Sequence, residues 1–466
     1  AQNMRLLDAL RGAGPEAPRP TGERPPSDAP APFGASGHGW HVTLDRGSQV
    51  LQLDVPERVT WERQPGRREE PVQPTLALDG GRLPFVSAAM LAAKAKQFDD
   101  GLYAAVELAS RRGLGRMIGK ATWLEDVRRI LAEQGAADRG AAVLCAARDY
   151  GNGRHGDPLP PALRAAVVRE KAGFVRNPLR SKPIGFYTWS DELARIVRSD
   201  RMLQAQLTSP ETVETAAAAI RGSTWKEAPY RQMLALASGL TNPLVGPDVL
   251  RPSTVRGPSQ RDPWYVLPPS RAHETELAKR LWGAHVPEGA NLFDELIPRV
   301  RSGELSLAPR EDSGWYDHVT WSLEPLLRPE AQPEAKRLRF TKGYREHLEE
   351  LFKGLLALTR ETHVKQLEMP ACGACLPPPE IHIGPGLTVE PLATHYRRRA
   401  GAYRFVRSVL ETAFGPGALA QIRRQTIDGP VAIDLDTELD LVTRIFDGAA
   451  ETALFEIGAV SYTHLT

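Results

Sequence analysis

Residues 369–386 read MPACGACLPPPEIHIGPG and hold two of the chain's three cysteines. Two thiolates two residues apart can bite one face of a tetrahedral zinc ion, and His363 and His382 lie close enough in sequence to complete a two-cysteine, two-histidine set with Cys372 and Cys375. The spacing H-x8-C-x2-C-x6-H matches none of the standard finger patterns. A local Cys372–Cys375 disulfide, or two reduced thiols packed under the proline loop, therefore stands beside zinc. A bridge this short closes a small loop and gains little from chain entropy. Haem attachment is excluded, because Leu376 stands where the iron-ligating histidine must follow the second cysteine. A thioredoxin-type dithiol draws its low thiol pKa from a helix N-terminus. Here a helix is expected to end near Glu368, which turns the helix dipole the wrong way.

A second constellation is GWYDHVTW at 314–321. It sets Asp317 beside His318 among Trp315, Tyr316 and Trp321, and reads either as a lining for a sugar or planar ligand or as a buried helix edge with aromatic anchors. A third is HYRRRAGAYRFVR, which gathers Arg397, Arg398, Arg399, Arg404 and Arg407 on one helix. Clustered guanidinium groups can hold a carboxylate or phosphate, with Arg398 and Arg399 the candidates. The alternative is pairing with acids such as Asp434, Asp436, Glu438 and Asp440. That acidic array lacks the loop glycine and terminal glutamate of an EF-hand and reads as a solvated helix start. There is no G-x-S-x-G elbow, Walker A loop, G-x-G-x-x-G fingerprint or H-E-x-x-H pair, so those hydrolase, nucleotide and dinucleotide readings have no support. Cys145, in AAVLCAARDY, reads as a buried thiol.

These residues must be positioned by elements that length and composition bound. At 466 residues, the chain can hold two or three domains or one large helical one. Lys and Arg total 59 against 57 for Asp and Glu, a net charge of +2, so no broad footprint for nucleic acid is expected. No run approaches the roughly 18 apolar residues of a spanning helix, and a soluble protein is expected. The opening AQNMRLLDALRGAGPE has no basic start followed by an apolar region, hence no signal peptide, and Met4 suggests a processed or truncated end. Residues 461–466, SYTHLT, read as a non-native tail.

Residues 1–39 are rich in Pro, Gly, Ala and charge, and read as a disordered arm. Residues 40–82 alternate apolar and polar side chains around a DRG turn, which suggests a small β element. From 83 to 460 alanine- and leucine-rich segments with three- and four-residue spacing predict a mainly α body, a solenoid or toroid, with 241–270 as the place where it could divide into two subdomains. In SDELARIVRSDRML, Ser190 caps a helix that buries Leu193, Ile196, Val197 and Leu203. A second helix from Gly343 to Glu368 carries Tyr344, Leu348, Leu351, Phe352, Leu355 and Thr359 inward and brings His363 to its buried edge. A third, capped by Thr394, turns Tyr396, Ala400, Tyr403, Val406 and Leu410 inward and stops at Gly415. VAIDLDTELDLVTRIF fits both a strand and a helix, and its helical continuation favours the helix.

Three blocks carry a resemblance. IGFYTWSDELARIVRSDRML, FTKGYREHLEELFKGLLALTRETHVKQ and LTVEPLATHYRRRAGAY are similar, in the same order, to passages of a bacterial family known only as domain of unknown function 3160. They span about residues 180–410. Trp189 departs from the family pattern, and RETHVKQ is shorter than the corresponding segment, so the resemblance does not set the register of His363. It implies a mostly helical, often exported protein of periplasmic or extracellular location, and assigns no catalytic residues. Two functions follow as expectations. The preferred one is a binding or structural module for a protein or small-molecule partner, with 241–270 and 369–392 as contact surface. The alternative is a zinc-dependent hydrolase with the metal near Cys372 and Cys375 and acids of a neighbouring helix activating water.

Overall fold

A computed structural model describes residues 40–46, 49–55, 76–78, 81–83, 86–153, 158–251, 263–283, 285–338, 340–367 and 388–463. The arm read at 1–39 and the cysteine stretch at 369–386 lie outside them. Within 40–82 the backbone pairs antiparallel as β1 (Trp40–Arg46) with β2 (Gln49–Val55), and β3 (Leu76–Leu78) with β4 (Gly81–Leu83).

The body that follows is predominantly helical. It begins with α1 (Ala88–Arg112), the two-residue strands β5 (Gly113–Leu114) and β6 (Met117–Ile118), α2 (Lys120–Gln134), α3 (Arg139–Asn152), α4 (Pro161–Val175) and the short α5 (Pro178–Ser181). Next come α6 (Asp191–Leu203), α7 (Pro210–Gly222), α8 (Glu227–Leu240), α9 (His273–Trp282), α10 (Leu292–Ser302), α11 (Trp315–Leu327) and α12 (Lys342–Thr362). The chain closes with α13 (Ala393–Phe414), the hairpin β7 (Arg423–Thr426) and β8 (Gly429–Asp434), and α14 (Leu435–Thr463). No helix among the described residues is long and apolar enough to cross a membrane.

A further hairpin packs on the helical body near the C-terminus, where β7 lies against α1. The approach is close: a Cβ on Gly101 of α1 would run into the carbonyl of Gln425. The stretch that fitted both strand and helix divides at Asp434. Pro430, Val431 and Ile433 favour extended backbone. The Asp434 carboxylate then accepts the Thr437 N–H at 2.9 Å and starts the helix.

Buried side chains form two cores. The smaller surrounds α3, which packs on α2, α4, α6 and α7, and contains the parallel Trp123–Trp225 stack at 4.1 Å. The larger surrounds α13, which packs on α8, α11 and α14. Because α1 touches both β7 and α12, the two ends of the body meet, which an open solenoid of nearest-neighbour contacts does not allow.

Local signals account for most boundaries. Ser190 accepts the Leu193 N–H at 3.2 Å at the head of α6, and the predicted apolar face is buried. Thr341 caps α12, which ends at Thr362, six residues short of the predicted Glu368. The helix α13 starts one residue before the expected cap. Thr394 instead donates its hydroxyl to Glu334 at 2.7 Å, and Gly415, at φ 100°, ends the helix as predicted.

Candidate functional site

Where α12 stops, residues 362–367 turn inward, and every one of them is buried. The imidazole of His363 is enclosed by the rings of Tyr103, Trp315 and Tyr316, edge to face at 5.4, 5.3 and 5.3 Å. Burial pushes its pKa down to about 3, so the ring is neutral, and its Nδ1 has no partner among the described residues. A zinc ion would need three more donors within about 2.0–2.3 Å of its own centre. Among the described residues His363 packs as a core side chain between these three rings. Cys372, Cys375 and His382 lie outside the described residues. No group of metal-ligating side chains forms among the described ones.

The chain next places Lys365 and Gln366 inside the protein. Gln366 accepts hydrogen bonds from Tyr103 and Thr241. The Lys365 ammonium, 2% exposed, donates to Glu107 and, at 2.7 Å, to Asp200. Lys120 completes the set, 2.6 Å from Asp200 and 3.7 Å from Glu107, and Tyr187 donates to Glu107 at 3.0 Å. Two ammonium and two carboxylate groups thus form a closed, electrically balanced cluster that ties α1, α2, α6 and the 362–367 turn together. Burial alone would raise the Asp200 pKa, but Lys120 and Lys365 overcome it and hold the carboxyl below its usual range. Burial likewise opposes the Lys365 charge, and Asp200 and Glu107 leave its pKa raised. Burial drives the Tyr103 and Tyr187 phenols well above their usual range. Asp200, Lys365, Tyr103 and Tyr187 therefore each stay in one protonation state at neutral pH, which suits a clamp and does not suit proton transfer. The adjoining cavity, ≈ 20 Å³, has room for little more than one water.

The other predicted site residues separate. Asp317 accepts hydrogen bonds from Asn242 at 2.7 Å and Ser313 at 2.6 Å, and lies 3.3 Å from His273 Nε2. His318 turns away and stacks on Phe405 at 4.1 Å. Trp315 is fully buried, whereas Trp321 is half-buried with the Arg398 guanidinium 4.2 Å above its ring. Trp315 and Asp317 are buried while His318 packs on Phe405 and Trp321 on Arg398, which supports the helix edge with aromatic anchors over the sugar or planar-ligand reading. Arg398 donates to the Trp321 carbonyl at 3.0 Å and pairs with Glu324 at 3.3 Å. Arg399 is buried against Asp99 and Tyr403. Arg407 pairs with Asp436 and Arg424 with Glu438. Arg398, Arg399, Arg404 and Arg407 are each neutralised by a carboxylate, and Arg398 and Arg399 are not free to hold an anion.

Sequence reasoning missed Glu107, Lys120, Asp200 and Lys365. The available signal was a charge set on an apolar helical face, as Glu107 is, four residues from the buried Tyr103 and between Val106 and Leu108. The expected contact loop is also revised. Of 241–270, the described parts 241–251 and 263–270 are mostly buried and pinned by bridges pairing Leu207 with Trp264, Leu244 with Ser270 and Asp248 with Tyr265.

A surface feature without such closure lies on α4. Its inner face buries Leu163, Ala166, Val167 and Phe174. Its outer face exposes Pro161, Ala165, Val168, Ala172 and Val175, and Leu179 is exposed on the short α5 that follows the break at Asn177. The spacing alternates four and three residues, the 3.5-residue period of a helix-pairing seam. Val168 and Val175 are each 61% exposed and Leu179 91%. Cations flank the seam on both sides: Arg164 and Lys171 on one, Arg169 and Arg176 on the other. Arg164 bonds the Leu159 carbonyl at 2.9 Å and Lys171 pairs with Asp149 at 3.2 Å. Arg169 and Arg176 are exposed and make no ion pair among the described residues.

Comparison with known proteins returns no matching family model, no similar curated protein and no similar solved structure.

Proposed function

We propose that this protein is a binding module that docks an amphipathic, acid-flanked helix of a partner protein along α4. The observation that carries the reading is the exposed seam Ala165, Val168, Ala172 and Val175 between two rows of cations, with Leu179 exposed just beyond it. Contiguous exposed apolar surface with a charged rim is characteristic of interaction sites. A helix laid in such a seam is held by anchors at i, i+3, i+4 and i+7. Charge selects the occupant. A second copy of the chain would bring Arg164, Arg169, Lys171 and Arg176 against their own like charges, which disfavours self-pairing. Small residues Ala165, Ala172 and Gly173 permit close helix approach, and the face has none of the aromatic residues typical of helices lying in a lipid interface.

The test uses the full chain and two labelled helical peptides with identical leucine and alanine seams, one flanked by glutamate and one by lysine. The glutamate peptide is expected to bind about tenfold tighter or more, equivalent to about 1.4 kcal/mol. The Val168→Asp/Val175→Asp variant is expected to lose that binding. Equal affinity for the two peptides, a homodimer that the double variant dissolves, or capture by phosphatidylserine vesicles without peptide binding would each overturn it.

A further inference from the structure

On another face, three helix ends converge on a cleft of ≈ 320 Å³ lined by Arg301, Arg328, Arg345 and one carboxylate, Glu330, together with Leu326, Leu327, Pro329 and Ala331. It is far roomier than the ≈ 20 Å³ cavity beside the buried ion cluster and falls at the lower end of the roughly 300–1,000 Å³ range of small-molecule pockets. Arg301 stands near the C-terminal end of α10, Arg328 caps α11, and Arg345 lies in the first turns of α12.

The partners of the three guanidinium groups differ. Arg301 donates to Glu349 at 2.8 Å. Arg345 pairs with Glu330, with both side chains about half exposed. An ion pair that open is weakly held and gives way to a better acceptor. Arg328 is half-buried and makes no side-chain hydrogen bond or ion pair among the described residues. Its carbonyl, which would otherwise repel an anion, already accepts from Ala331 N–H at 3.1 Å and Gln332 Nε2 at 2.9 Å. A partly desolvated guanidinium without a counter-charge, beside one paired with Glu349 and one whose only carboxylate, Glu330, is held in an open pair, is an unfilled oxyanion position. Planar forks of this kind match carboxylate and phosphate oxygens two at a time.

We infer that this cleft binds a small organic oxyanion, a carboxylate or phosphate monoester, with its charged end on Arg328 and Arg345 and its apolar part on Leu326, Leu327 and Pro329. The site is separate from the α4 seam and does not depend on it.

The experiment is calorimetric titration of the full chain with phenyl phosphate, benzoate and inorganic phosphate at constant ionic strength. Saturable binding of phenyl phosphate or benzoate is expected, tighter than inorganic phosphate because only the aryl compounds reach the apolar floor. Arg328→Ala should weaken it about tenfold, and Arg328→Lys should restore part of it. Glu330→Gln, which frees Arg345, should tighten binding severalfold, and this gain cannot come from a folding defect. Absence of saturable binding at millimolar ligand, unchanged affinity in Arg328→Ala, or no gain in Glu330→Gln would each overturn the inference.

Discussion

Replacing Lys365 with methionine probes the buried cluster at its centre. Lys365 is the link between Glu107 and Asp200, and all three side chains are at most 4% exposed. At an effective dielectric of about 20, an ion pair at 2.7 Å is worth ~6 kcal/mol of Coulomb attraction, much of which offsets the desolvation of the ammonium. Removal leaves two buried carboxylates sharing Lys120 alone, 2.6 Å from Asp200 and 3.7 Å from Glu107. Breaking one partner out of a buried pair costs about 3–5 kcal/mol. At a urea slope of about 3 kcal/mol per M, the midpoint should fall by about 1–1.7 M. The double variant Lys365→Met/Glu107→Gln restores neutrality, keeps an acceptor for Tyr187, and should be more stable than Lys365→Met alone, a coupling that a double-mutant cycle reads directly. A loss under about 1 kcal/mol for the single variant, or simple addition of the two single losses in the double, would refute the clamp.

Two further outcomes follow from buried titratable groups. Burial pulls the His273 pKa down, but Asp317 overcomes it and leaves it raised, while the Asp317 carboxyl is lowered despite burial, chiefly by His273. A raised histidine stabilises below its unfolded pKa and loses that contribution as pH rises through its folded value; the lowered carboxyl contributes above its unfolded pKa and loses it as pH falls through its folded value. The pair therefore stabilises most between about pH 4 and 6.5, the ordinary values of the two groups. His273→Gln should flatten the alkaline side of the urea-midpoint profile, and an unchanged profile would count against the pairing. Burial also pushes the Cys145 thiol up to about 12, so Cys145 should resist a thiol reagent at pH 8 in the native protein and react on unfolding, with fast native labelling of Cys145 as the contrary result.

The helical body was legible because burial in it follows a 3.6-residue period that local residues punctuate: Ser190 and Gly415 mark ends that the structure keeps. The end of α12 was not legible. Nothing in THVKQ breaks a helix, and the chain turns at His363 because tertiary partners for Lys365 and Gln366 lie inside. The same cause hid the ion cluster, whose four charges come from positions 107, 120, 200 and 365 and acquire meaning only when packed together. Adjacency in sequence misled at Asp317 and His318, since neighbouring helical residues point about 100° apart and reach different neighbours. The α4 seam was readable in principle, because both faces of PALRAAVVREKAGFV carry apolar residues at helical spacing. Only the structure says which face is already covered.

Methyl NMR of the full chain, titrated with the glutamate-flanked helical peptide, tests the docking reading most directly. The account predicts that the methyl signals of Val168, Val175 and Leu179 shift and saturate together, while Val127, wholly buried in α2, stays fixed. Shifts confined to other surfaces, or none at peptide concentrations well above those needed for the lysine-flanked control, would contradict it.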